Sequence, residues 1–176
     1  ISTPCGNIIH TGDFKIDYTP INSEITDLNR IAEIGSKGVL ALLSDSTNSE
    51  RKGYTMSEST VGKEFDKLFV NCTKRIVVAT FASNVHRVQQ IVNAAVANGR
   101  KIAICGRSMI NMIETARALG YMDVPENVFI DIDMIKNYTD EQLVIITTGS
   151  QGETMSALTR MAAGEHKKIE ITPNDL

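Results

Sequence analysis

Three runs of β-branched and apolar residues stand out along the chain: RIVVAT (Arg75 to Thr80), KIAICG (Lys101 to Gly106) and QLVIITTG (Gln142 to Gly149). Because they are apolar at consecutive positions, they predict strands buried on both faces. VLALLSD (Val39 to Asp45) and NVFID (Asn127 to Asp131) read similarly, although Leu-Ala-Leu-Leu alone also suits a helix. Between the runs the period changes to that of an amphipathic helix. Glu24 to Ile34 places Ile25, Leu28, Ile31 and Ala32 mostly on one face, with Gly35 as a stop. Ser57 to Val70 has Ser57 as a cap and Val61, Phe65, Leu68 and Phe69 as its apolar face; Asn84 to Asn98 and Ser108 to Leu119 end at Gly99 and Gly120. From residue 57 onward the order is helix, strand, helix, strand, helix, strand, strand, helix. That order predicts an α/β fold, a mostly parallel sheet with helices on both faces.

The first residues differ. GNIIHTGDF (Gly6 to Phe14) alternates as an antiparallel strand does, and IDYTPINSE (Ile16 to Glu24) is turn-rich. Residues 46–54 are polar and contain Gly53, a pattern that predicts a linker and a domain boundary nearby. Ile1 reads as the continuation of a structure begun earlier, so a fragment is expected.

Composition narrows the function classes. Eighteen Lys and Arg against twenty-one Asp and Glu leave a net charge of −3, so nucleic acid would have to be held by a local patch and not by an overall positive field. No apolar run is long enough for a membrane span and no leader pattern opens the chain, so the cytosol is the expected compartment and no membrane contact is predicted. Cys5, Cys72 and Cys105 are scattered and odd in number, which predicts reduced thiols.

Chemistry concentrates where strands end. Asp13, after His10 and Gly12, either caps a turn or helps to hold a cation. Asp45 in SDSTNSE either closes an Asx-turn or orients a histidine or metal. ATFASNVHR (Ala79 to Arg87) offers Ser83 or Asn84 as a helix cap, with His86 and Arg87 in the first turn, where only an intervening anion relieves their conflict with the helix dipole. CGRSM (Cys105 to Met109) and TTGSQGET (Thr147 to Thr154) repeat the strand, Gly-bearing turn and helix layout. In a parallel sheet these three turns would gather along one rim, although each alone is also an ordinary tight connection. Neither GxxxxGK[ST] nor GxGxxG occurs, which disfavours a nucleotide-dependent oxidoreductase. Met109, Met112, Met155 and Met161 are expected as helix core residues, Cys105 as a buried apolar residue and His166 as a solvated surface residue.

Taken in order, TPCGNIIHTGDFKID, LLSDSTNSE, ATFASNVHR, GRSM and IITTGSQGETMSALTRMA closely resemble the bacterial ribonuclease J family, metallo-β-lactamase nucleases with a β-CASP insertion. The resemblance covers essentially the whole chain. It implies that residues 1–50 are the end of a first metallo-β-lactamase segment, strand-rich and from an αββα domain. Residues 51–176 are then a Rossmann-like β-CASP domain that stops before it is complete. It implies that Asp13 bridges two zinc ions and that Asp45 orients a later histidine. Ser83, Asn84, His86, Arg107, Ser108, Ser150 and Gln151 are implied to face RNA or its phosphates. Thr154 stands where the family commonly has Pro. The HxHxDH and HxSGH motifs that complete the zinc site are expected outside this chain, so the fragment is expected to lack stable zinc and nuclease activity.

For the parent protein the resemblance implies hydrolysis of RNA phosphodiesters, by 5′ exonuclease and endonuclease cleavage, in RNA and rRNA processing and decay. A 5′-monophosphorylated RNA is the implied substrate, and homodimers or tetramers with RNA-decay partners the implied assembly. The alternative reading is a nucleic-acid or nucleotide binding module without catalysis.

Overall fold

The structure, a computed structural model, describes residues 1–21 and 24–176; Asn22 and Ser23, in the expected turn, lie outside the described residues. The chain forms two compact units, Ile1–Thr60 and Val61–Leu176.

In the first unit β1 (Ser2–Thr3) and β2 (Gly6–His10) pair antiparallel, and β3 (Val39–Leu43) adds to β2 in parallel. A parallel pair needs a crossover, supplied by α1 (Leu28–Ser36). α1 starts later than its apolar period predicts because the Asp27 carboxylate accepts from Arg30 N at 2.9 Å and fixes the cap there. It runs through Gly35 to Ser36, where Lys37 N donates to Ile34 O and the chain turns at Gly38. Leu40 and Leu42 of β3 are 63% and 62% exposed. Among the described residues, every buried one lies between Phe69 and Ile169, so this unit has no buried core of its own.

The second unit carries the core. β4 (Ile76–Ala79), β5 (Lys101–Cys105), β6 (Phe129–Ile130) and β7 (Leu143–Thr147) form an all-parallel sheet in the order β4-β7-β5-β6. Successive side chains of a strand point to opposite faces, which explains the continuous apolar runs. Ile76, Ile102, Val144 and Ile146 pack under α3 (Val85–Ala97), α4 (Arg107–Ala118) and the end of α2 (Glu58–Phe69). Ala103, Cys105, Leu143 and Ile145 pack on the other face, against the 3-10 turn Ile132–Asn137, Met161 of α5 (Ala157–Ala162) and Ile169. The predicted α/β layering is therefore present in this unit.

Long-range polar contacts tie the sheet's margins. On the outer side of β4, Val77 N donates to Leu176 O and Leu176 N to Arg75 O, while the Arg75 guanidinium holds Asp175 through two 2.6 Å hydrogen bonds. Burial pushes the Asp175 carboxyl up, but Arg75 and the Thr172 N–H outweigh it and hold the group below the usual carboxylate range. At the amino edge Arg100, 3% exposed, donates to the carbonyls of Lys74, Leu143 and Cys72 and lies over the Phe69 ring.

Two expectations are corrected. Met155 is 83% exposed, because Ser156 caps α5 and leaves Met155 in the preceding loop. His166 is half-buried, not solvated: its Nδ1 accepts from Ile169 N at 3.2 Å, and its Nε2 lies 3.2 Å from Cys105 Sγ. Cys105 itself is 4% exposed, and burial pushes its thiol up in pKa.

Candidate nucleic-acid interface

In the first unit the parallel pairing of His10 with Leu43 brings the ends of β2 and β3 side by side. Thr11 N donates to Leu43 O, and Asp45 N donates to the Thr11 hydroxyl at 3.0 Å, which locks the two strand exits together. The result is a cleft of roughly 320 Å³ lined by His10, Gly12, Asp13, Leu43, Ser44 and Asp45. Asp13 and Asp45, 32 positions apart in sequence by number, thus share one concave surface.

Asp45 is an Asx-turn as well as a lining carboxylate. Its Oδ1 accepts from Thr47 N at 3.0 Å and from the Thr47 hydroxyl at 2.8 Å. The Thr47 N–H, then the Thr47 hydroxyl, and the Phe14 N–H hold the carboxyl below the usual carboxylate range. A depressed pKa contributes stability above the unfolded value, and that contribution is lost as pH falls through the folded value. In a carboxyl carbon NMR titration, Thr47→Val is expected to move the Asp45 midpoint up towards the ordinary range, since the hydroxyl donor is lost and only the backbone donors of Thr47 and Phe14 remain.

Zinc, which the resemblance implies, was expected on Asp13. His10 Nδ1 already accepts from Gly12 N at 3.0 Å, and among the described residues no three His, Cys, Asp or Glu side chains are placed to hold a metal ion. The residues present do not by themselves fit a zinc centre.

In the second unit the register sets Ala79, Thr147 and Cys105 side by side, so the turns after β4, β7 and β5 leave from one edge of the sheet. With neighbouring strands about 4.8 Å apart, the three exits span about 10 Å. Ser83, Asn84 and His86 belong to the first turn, Arg107 and Ser108 to the second, Ser150 and Gln151 to the third; all but the half-buried Asn84 are exposed. Two glycines permit this crowding. Gly106, at φ +117°, brings its backbone against Thr148, where a Cβ would sit 3.4 Å from the Thr148 hydroxyl, and Gly149, at φ +114°, packs on Ser156.

The helix starts differ in what they leave open. Asn84 Oδ1 caps α3 by accepting from Arg87 N at 3.0 Å, so its amide NH2 is the part left to meet a ligand. α4 begins at Gly106 with no side-chain cap, which leaves its first N–H groups to solvent or an anion beside Arg107. Gln151 N instead turns back to the Glu153 carboxylate at 3.2 Å. Thr47 was not singled out from sequence, although an Asp followed two residues later by Thr is the spacing an Asx-turn uses. Tyr121, at the mouth of a cleft beside Ser83 and His86, has no local signal beyond its position after Gly120.

An all-parallel sheet with three turns, two of them Gly-bearing, leaving the carboxyl ends of adjacent strands defines the class: an α/β domain whose loops gather along one rim. The profile of the family described as "Ribonuclease J, beta-CASP domain" matches residues 73–176. The chain is 53% identical to ribonuclease J of Helicobacter pylori (strain ATCC 700392 / 26695) over its full length, covering 26% of that protein. It is 50% identical to ribonuclease J of Synechocystis over 99% of the chain and 27% of the relative, and 47% identical to ribonuclease J2 of Bacillus subtilis over 98% and 31%. The chain belongs to the ribonuclease J family, and it spans roughly a quarter to a third of the length of these relatives.

Proposed function

We propose that the chain is the RNA-handling part of a zinc-dependent ribonuclease that hydrolyses RNA phosphodiesters from the 5′ end and internally. The observation that carries this reading is the shared departure of the β4, β5 and β7 turns from one sheet edge, in a chain of this family. Ser83, Asn84, His86, Arg107, Ser108, Ser150 and Gln151 are its proposed phosphate or RNA contacts. A few converging N–H groups and one arginine can hold a phosphate without a basic protein, which is how a chain of net charge −3 handles RNA. Asp13 is proposed as one ligand of a two-zinc centre, and Asp45, kept ionised by Thr47, as the carboxylate that orients a histidine from elsewhere. Domain limits of 1–50 and 51–176, a cytosolic setting, homodimers or tetramers and RNA-decay partners belong to the same proposal for the whole protein.

For these 176 residues by themselves, binding without cleavage is the favoured reading, because the cleft that gathers His10, Asp13 and Asp45 does not set three ligands around a metal. Titration with a short 5′-phosphorylated RNA against its 5′-hydroxyl form is expected to show the phosphate preferred by about tenfold or more, the equivalent of one charge-assisted hydrogen bond. Arg107→Ala is expected to erase the preference. Equal affinity for the two forms would remove the proposed phosphate site. The same chelator-washed chain is expected to hold less than stoichiometric zinc; full retention together with metal-dependent cleavage would overturn the non-catalytic reading.

A further inference from the structure

A second concave surface lies beside the start of α3. Phe81, Ser83, Asn84, Val85, His86 and Tyr121 line a cleft of roughly 510 Å³, within the range of about 300–1,000 Å³ typical of small-ligand sites. Tyr121 reaches it by a fixed route. Gly120, at φ +75°, reverses the chain after α4, and Tyr121 N closes the turn on Ala116 O at 2.8 Å. Two residues on, the Gln89 carboxamide clasps the backbone of Asp123, accepting from its N–H at 2.9 Å and donating to its carbonyl at 2.7 Å. Gln89 is 8% exposed and Met122, between the two, is 7% exposed, so the segment is anchored to α3. Its ring is not buried with it: Tyr121 is 69% exposed, and Phe81 across the cleft lining is 43% exposed.

A large aromatic ring held on a pinned backbone and left open to water, with hydroxyl, amide and imidazole groups around it, matches what an unstacked nucleobase requires. The ring supplies a π-face at little cost in conformational entropy, and the polar neighbours meet the base edge or the adjoining phosphate. We propose that this cleft is a subsite for one base of single-stranded RNA, stacked on Tyr121 with Phe81 beside it. The inference rests on the RNA-binding reading above and adds to it the recognition of a base, where the rim turns address phosphates. Ser83, Asn84 and His86 then serve both surfaces.

Fluorescence anisotropy of the full chain with a single-stranded oligouridylate, and with the same oligonucleotide carrying abasic sugars, tests it. Tyr121→Leu is expected to weaken the base-bearing strand by about 5-fold or more, the lower end of base–aromatic stacking, and to leave the abasic strand unchanged. Tyr121→Phe, which keeps the ring, is expected to retain wild-type affinity, and matching melting curves confirm that the variants fold. Equal weakening of both strands, or no weakening, with a wild type that binds RNA, overturns this inference alone. A wild-type chain that binds neither strand overturns the RNA reading and this subsite together.

Discussion

Replacing Arg100 by leucine is expected to lower the stability of the second unit by about 2–3 kcal/mol, since a buried acceptor left without its donor costs about 1–3 kcal/mol and here one fully buried and two partly buried carbonyls lose theirs. The carbonyls of Lys74, Leu143 and Cys72 all accept from this one guanidinium, which is 3% exposed and closed in by the Phe69 ring. Leucine fills part of the space but offers no donor. Lysine is expected to recover only a fraction, because a single ammonium cannot reproduce a planar fork that reaches carbonyls on both sides. Urea denaturation monitored by circular dichroism measures the effect: the midpoint should fall for Arg100→Leu, fall less for Arg100→Lys, and the slope should stay constant. An unchanged midpoint in Arg100→Leu would show that water replaces the guanidinium without penalty.

Gly149→Ala is expected to have the second large effect, and to carry it into the proposed RNA contacts. A Cβ at Gly149 would lie 2.3 Å from Ser156 Oγ and 3.0 Å from Leu158 Cβ, on a residue whose φ of +114° no other side chain adopts readily. Backbone strain there costs about 1–3 kcal/mol, and forcing a methyl into a filled space costs about as much again. Ser156 cannot simply move aside, because its hydroxyl oxygen caps α5 by accepting from Thr159 N. The loop carrying Ser150 and Gln151 therefore has to shift. Gly152→Ala is the matched control: its φ is +74°, yet nothing lies within 4 Å of the added Cβ. Thermal melts and RNA titration are expected to rank Gly149→Ala well below Gly152→Ala in both stability and affinity. Equal ranks would mean that the close approach to Ser156 contributes nothing.

Strands of the second unit were legible because burial on both faces writes an uninterrupted apolar run into the sequence. Leu143, Val144, Ile145 and Ile146 are each 3% exposed or less, and each was part of the predicted run. NVFID shows where that signal weakens: only Phe129 and Ile130 pair, at the sheet's margin, and both are half-buried. Helix limits were less legible where side-chain caps decide them, as Asp27 does for α1 and Ser156 for α5. The rim turns could be grouped from the helix–strand alternation alone, since a parallel sheet puts all carboxyl ends on one edge; which strands neighbour one another, β4-β7-β5-β6, came only with the structure. Arg100 could not be read at all. Its partners Cys72 and Leu143 lie 28 and 43 positions away, and nothing local marks it as buried. His166 misled for the same reason: charged neighbours in sequence suggested solvent, while the fold set its ring against Cys105 from 61 positions away.

The pairing of Asp175 and Leu176 with the outer side of β4 has a consequence for how these molecules behave in company. β6, at the opposite margin, is only two residues long, and on the outer side of β4 the Val77 N–H and the Arg75 carbonyl are taken up by Leu176. Neither border of the four-stranded sheet offers a long row of free N–H and C=O groups onto which another copy could add a strand. Addition of a strand from a second copy at either border of this sheet is thereby disfavoured.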